Sequence, residues 1–422
     1  MLICTDPYSM QRSLHMINRV ALPIFFFLAS VSSHALDWPT YGGAEKNHQT
    51  QENSLRLNWS DQEPDILWKY EVGLGYSSVI EAEGLAFTQG YRDNQNTLYC
   101  LQADTGKMVW AFSYPSGLGD KYFQGGSRST PTFAEGKIYL QGHEGPLFCL
   151  EAKTGKVVWE KHLVEDFGGN CPTWGYAGAP LFFKGRIIVQ TGSKKGSLLA
   201  LDAESGKEIW RGGDAEAGYA SPYIRASKPS EIVVFNQQGL AIHSLANGGV
   251  TSSYQHRTRY DVNAAQPLDL GSKVLVASGY GKGAAMLELT ESQPKVLWES
   301  DEVACQMASL VHQGEFAYGI HGQTGAKASR ATLFCLDLTE GRKVWEERGF
   351  GVGTVILVDD KLVVLSDRGE LAIVDASPKG FNEIARFQVL GGKNNWIPPS
   401  YANGRMYCRS SSGTWVCLNM GL

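Results

Sequence analysis

The stretch TPTFAEGKIYLQGHEGPLFCLEAKTGKVVW, residues 130–159, breaks into four short β-rich runs. They are TPTFA, KIYLQ, PLFCLEA and KVVW, separated by EG, GHEG and KTG. Runs of this length punctuated by glycine are antiparallel strands joined by hairpins. No 3.6-residue apolar periodicity interrupts them, so no helix is expected. A recurring unit of four such strands is a propeller blade.

The unit does recur. Its second half returns as LYCLQADTGKMVW (residues 98–110), LLALDAESGKEIW (198–210) and LFCLDLTEGRKVW (333–345). The aromatic that ends each copy falls at Trp68, Trp110, Trp159, Trp210, Tyr254, Trp298, Trp345 and Phe387, steps of 42 to 51 residues. That period belongs to solenoids, propellers and arrays. The first strand repeats independently, as STPTFAEG, GAPLFFKG, AQPLDLGS and five further copies, again giving eight.

The ends close the circle. The last copy, TWVCLNMGL, stops before its fourth strand, whereas ILWKYEV (residues 66–72) is a fourth strand with no blade before it. Pairing them completes the eighth blade and removes a free sheet edge. The expected fold is therefore all-β: an eight-bladed propeller of four-stranded antiparallel blades over residues 66–422, closed by an N-terminal strand. Residues 36–65 form an extension packed on the outside or on one face.

In each beam the Thr-Gly pair, such as Thr105-Gly106, makes the tight turn between third and fourth strands, glycine supplying a positive φ. The indoles of Trp68, Trp110, Trp159, Trp210, Trp298 and Trp345 then dock each blade on its neighbour. Tyr254 and Phe387 are weaker substitutes, so those two junctions are expected to be looser.

Composition agrees with a globular chain of 422 residues: 43% hydrophobic, 48 glycines and a net charge of −5. Arg19, the apolar run VALPIFFFLASV (residues 20–31) and the small residues Ser33 and Ala35 make an export signal over residues 1–35, with Met16 the tidier start. Its removal leaves a net charge of about −6 and no basic stripe, which excludes nucleic acid as a partner. No later run is long enough to span a bilayer. Of eight cysteines, Cys4 leaves with the signal. Cys100, Cys149, Cys335 and Cys417 share the repeat position that Ala200 fills elsewhere, which marks a small buried slot. Cys171, Cys305 and Cys408 leave room for one disulfide.

The A-x-D-A/T-x-T/S-G-K-x-x-W beam on a count of eight resembles the pyrroloquinoline quinone (PQQ) repeat superfamily. DWPTYGG (residues 37–43) is similar to the opening of its exported members, and WGYAGAPL and ASGYGKGAAML to PQQ-binding-like β-propeller proteins. The resemblance implies one of two trades. Quinoprotein dehydrogenases hold PQQ and calcium at the axis and oxidise alcohols or sugars. The propeller subunit of the outer-membrane β-barrel assembly machine binds protein partners without chemistry.

In the dehydrogenases the quinone lies between a Trp and two disulfide-bonded adjacent cysteines, with Glu and Asn on the calcium and an Asp as base. This chain has no adjacent cysteine pair, and its connections are short. The loops leading into the first strands nevertheless carry Tyr76, Arg128, Trp174, Tyr176, Tyr219, Asn263, Gln306, Asn395 and Trp396. Such a set can seat a flat acidic cofactor, Arg pairing with its oxygens and Asn joining a calcium shell. Asp261 is the candidate base. Propeller channels are lined with such groups in any case, hydrogen-bonded to each other and to water. No histidine pair or nucleophile elbow supports other chemistry. Neither SGYGKGA nor GFGVGT opens a helix, so a nucleotide reading fails.

The reading that follows is an exported, monomeric binding module, periplasmic or extracellular, for an envelope protein or a polymer. No cofactor or metal is favoured. The alternative is a PQQ- and calcium-dependent oxidoreductase.

Overall fold

A computed structural model describes residues 37–58, 63–325 and 328–421; the export signal falls outside them. Every hairpin expected from the repeat forms. Eight sheets follow one another; in blades 1 to 7 the four antiparallel strands are ordered first to fourth as in the chain, and the sheet of blade 7 gains Gln49–Thr50 as a parallel fifth strand. Blade 1 covers residues 80–115, blade 2 132–162, blade 3 181–212, blade 4 223–255, blade 5 268–300, blade 6 311–347 and blade 7 354–388. Blade 8 combines Ser400–Ala402, Arg405–Arg409 and Thr414–Asn419 with the N-terminal strand Asp65–Glu71. That strand pairs antiparallel with Thr414–Asn419, Trp68 opposite Cys417. Among the described residues the single helical element is a 3-10 turn, Ala328–Arg330.

The register explains the small slot. Trp110 lies opposite Cys100, Trp159 opposite Cys149, Trp210 opposite Ala200 and Trp345 opposite Cys335. A small side chain there leaves room for the indole across the ladder. All of these small residues are fully buried. The seven cysteines among the described residues are free thiols, so Cys171, Cys305 and Cys408 form no disulfide. Burial pushes the Cys305 thiol up to about 12, in keeping with an inert packing role.

Each outer strand carries a β-bulge, as at Val157/Trp159 and Ile66/Trp68. The extra residue turns outward, and Leu67, Val109, Val158, Ile209, Leu297 and Val344 are exposed. A bulge sharpens the local twist, which re-aims the following Trp at the neighbouring blade and blunts an edge open to foreign strands.

The docking is uniform. The indole N–H of Trp110 donates to Ala152 O (2.9 Å), Trp159 to Ala203 O (2.9 Å), Trp210 to Leu245 O (3.0 Å), Trp298 to Leu338 O (2.9 Å) and Trp345 to Ser377 O (2.8 Å). Each acceptor belongs to the next blade. At the substitute positions this bond is replaced: Tyr254 donates its hydroxyl to Glu299 on the outer strand of blade 5, and Phe387 offers only its buried ring.

The extension corrects one expectation. It lies neither on the outside nor flat on a face; it occupies the axis. Trp38 bridges Glu81 on the inner strand of blade 1, and Pro39 O accepts from Phe133 N in blade 2 (2.8 Å). The chain then turns back. His48 O accepts from Leu357 N, and Gln49–Thr50 pair in parallel with the innermost strand of blade 7. It leaves past blade 8, where the Glu52 carboxylate accepts from Asn403 N (2.9 Å) and Gly404 N (2.5 Å). Trp38 is 2% exposed, a core residue contributed by the extension.

Candidate functional site

The loops leading into the first strands converge at one end of the axis and enclose a cup of about 630 Å³. Its lining includes Tyr76, Arg128, Trp174, Tyr219, Gln306 and Trp396, six of the residues singled out in the sequence. Tyr41, at the turn of the extension, adds a ring from within the axis; burial raises its pKa.

The aromatic rings are held by one another. Trp396 stacks on Tyr76 (5.5 Å between centroids, 16° between planes), and Phe123 leans on Tyr76 from the loop joining blades 1 and 2. Trp174 meets Tyr219 edge-on at 5.9 Å, while Tyr122 approaches it from the rim. Tyr122 is 77% exposed. Gln306 is fully engaged: its Nε2 donates to the Tyr280 hydroxyl (2.8 Å) and its Oε1 accepts from Thr324 N (2.6 Å).

Among the described residues Arg128 is the one cation that lines the cup, and it is only 9% exposed. Its Nη2 donates to Gly119 O (2.5 Å), and the guanidinium lies 4.9 Å from the centre of the Phe123 ring. Nε and Nη1 have no hydrogen-bond partner among the described residues. Burial lowers its pKa to about 10, and burial together with the Arg128 charge holds neighbouring His143 down at about 4. An unsatisfied buried donor costs about 1–3 kcal/mol, more for a charged group, so this guanidinium is poised to accept a partner.

Three expected members lie outside the cup. Tyr176 is 2% exposed and donates its hydroxyl to Thr191 O (2.8 Å), joining core rather than channel. Asn263 Nδ2 donates to Asn236 O and His256 O while its Oδ1 accepts from Ser278, which ties three loop segments together. Asn395 Nδ2 reaches Asp367 O and Gly391 O. Asp261 pairs with Arg257 Nε at 2.6 Å in an i,i+4 surface pair; it does not line the cup itself, though its charge acts on Tyr219. Tyr401, on the first strand of blade 8, is fully buried and hydrogen-bonded to Ser54. Sequence reading missed Tyr41, Phe123, Tyr280 and Asp367. A usable signal was the KYF run inside the glycine-rich loop GLGDKYFQGG.

Among the described residues, the carboxylate and amide side chains that line the cup are Asp367, Gln306 and Asn394. Among the described residues Asp367 is the only carboxylate lining the cup; burial raises its pKa, and it accepts from Val352 N. Both candidate asparagines donate Nδ2 to backbone carbonyls; Asn263 Oδ1 accepts from Ser278, whereas Asn395 Oδ1 has no hydrogen-bond partner among the described residues, and one face of Trp396 is covered by Tyr76. Among the described residues no three His, Cys, Asp or Glu side chains gather as a metal site.

The family model for outer membrane protein assembly factor BamB matches residues 94–347. The chain belongs to that family. No curated protein matches it. Solved structures share the fold at low identity. BamB from Moraxella catarrhalis is 15% identical, with a TM-score of 0.57 over 83% of this chain and 97% of that one. The quinohemoprotein alcohol dehydrogenase of Comamonas testosteroni is 14% identical, with a TM-score of 0.68 over 92% and 81%. A europium-containing methanol dehydrogenase is 12% identical, at 0.67 over 88% and 89%. The fold is thus common to an assembly factor and to dehydrogenases. No helix among the described residues is long and apolar enough to cross a membrane.

Proposed function

We propose that this chain is an exported, monomeric binding propeller that docks a protein partner of the cell envelope, or an extracellular polymer, on the face bearing the axial cup. One observation carries the reading: the cup is walled by mutually braced aromatic rings around a single under-bonded guanidinium, with one carboxylate in its lining. Rigid rings beside one arginine are what interface hot spots are made of. A dehydrogenase needs a base and a calcium shell, and two of the candidates for them are engaged otherwise: Asp261 with Arg257, and Asn263 through both atoms of its amide.

The test is affinity capture from envelope extract with the full chain and with a Trp396→Ala/Tyr219→Ala double variant. The wild type should retain a discrete partner that the variant loses. In parallel, protein loaded with PQQ and calcium is assayed for dye-linked oxidation of alcohols and sugars. Turnover there, with no partner captured, would replace this reading by the oxidoreductase.

A further inference from the structure

The extension fills the axis unevenly. It lies against the inner strands of blades 1, 2, 7 and 8 and leaves a second cavity, about 1200 Å³, between itself and blades 3 to 6. This cavity opens at the end opposite the cup, where the turns between first and second strands gather; Lys184, Gly271 and Gly314 line it.

Its walls combine apolar residues, Phe182, Leu268 and Leu270 among them, with the charged Glu45, Lys184, Asp269, Lys273 and Glu315. On the extension side stand Lys46 and His48. The Lys46 ammonium makes no hydrogen bond or ion pair among the described residues, and burial lowers its pKa to about 8. His48 is 2% exposed, its Nε2 is unpartnered, and burial keeps the ring neutral, with a pKa of about 4. Gln266 is 4% exposed; its Nε2 donates to Lys46 O at 2.9 Å while its Oε1 has no hydrogen-bond partner among the described residues. Lys46 and His48 both sit at positive φ, 55° and 60°, a conformation disfavoured for residues with a Cβ and seen mostly where surrounding structure imposes it.

We propose that this lower cavity is a binding site for an amphiphilic anion, a carboxylate or phosphate head on an alkyl chain. The head is held by the Lys46 ammonium and the His48 ring. The chain lies along Phe182, Leu268 and Leu270. Gln266 Oε1 accepts from a hydroxyl of the head or from its water. An ammonium with no hydrogen-bonded partner beside apolar walls gains from meeting an anion even with Glu45 close by, and apolar walls of this extent are stabilised by apolar contact. The site is independent of the cup and of the function proposed for it.

The test is calorimetric titration of the full chain with decanoate, decyl phosphate, decanol and acetate, each below its aggregation limit. One saturable site for decanoate or decyl phosphate is expected, with decanol and acetate at least about tenfold weaker, since each lacks one half of the recognition. Lys46→Gln should weaken decanoate by at least about tenfold and Lys46→Arg should retain it. Preference for decanoate would mark a free fatty acid as the source; preference for decyl phosphate would mark a lipid phosphate. Equal binding of decanol and decanoate, no saturable site, or an unchanged affinity in Lys46→Gln would overturn the proposal. Should Lys46→Gln fail to fold, the Nζ resonance of Lys46 in wild-type protein decides the matter. It must shift with decanoate and stay still with decanol.

Discussion

The indole N–H of Trp68 donates to the carbonyl oxygen of Ala103 at 3.0 Å, a bond from the strand that completes blade 8 to the beam of blade 1. Gly106 of that beam lies beneath the ring: a Cβ there would sit 2.5 Å from the indole. Sheet pairing and indole docking thus meet at one seam. Trp68→Ala should lower unfolding stability by about 3–5 kcal/mol. Gly106→Ala should cost several times more than Gly84→Ala, which shares the positive φ but meets nothing within 4 Å. Urea unfolding of the three variants checks this.

A second lock crosses the same seam. The Glu81 carboxylate, with no exposed surface, accepts from Arg405, Tyr407 and Asn403 of blade 8. Burial raises its pKa, and Arg405 and Asn403 oppose the shift. Glu81→Ala should cost about 3–5 kcal/mol because it strands Arg405. Glu81→Ala with Arg405→Met should recover part of the loss, as a thermal double-mutant cycle would show.

Acid should loosen the fold through buried histidines. His48, His143 and His256 are pulled by burial from 6.5 to about 4. The unfolded chain therefore binds more protons than the folded one between those values, so stability is full above pH 6.5 and declines as pH falls towards 4. Each histidine accounts for on the order of 3 kcal/mol over that window. Denaturant midpoints at pH 7.5, 6 and 5 should fall in that order, and His256→Gln should flatten the decline. A midpoint independent of pH would contradict it.

The extension is structural as well as axial. Trp38→Ala should destabilise by about 3–5 kcal/mol, because the ring is buried against Gly43 and the inner strand of blade 1. An extension lying loosely on a face would show less than about 1 kcal/mol by the same unfolding measurement.

The circle was legible because its signal is local and repeated. Four strand runs and an aromatic at a fixed period leave few architectures, and a truncated last unit with an orphan first strand leaves one closure. The axis was not. Residues 37–58 carry no repeat pattern, and their partners, such as Leu357 and Asn403, lie some three hundred positions along the chain. Asn263 and Asn395 were placed in the cup because loop position alone does not tell an amide facing the axis from one that clamps neighbouring carbonyls. Arg128 was found since a lone arginine in such a loop is conspicuous, whereas Phe123, which covers it, lies in a loop no other blade shares.

The most direct measurement installs a photo-crosslinking benzoylphenylalanine at Tyr122 on the cup rim, and separately at Gly84 on the opposite face, in protein exported by living cells. The account predicts a discrete crosslinked partner from Tyr122 and none of that mass from Gly84. Crosslinks that are absent at Tyr122, or identical from both faces, would contradict a propeller that binds through its cup.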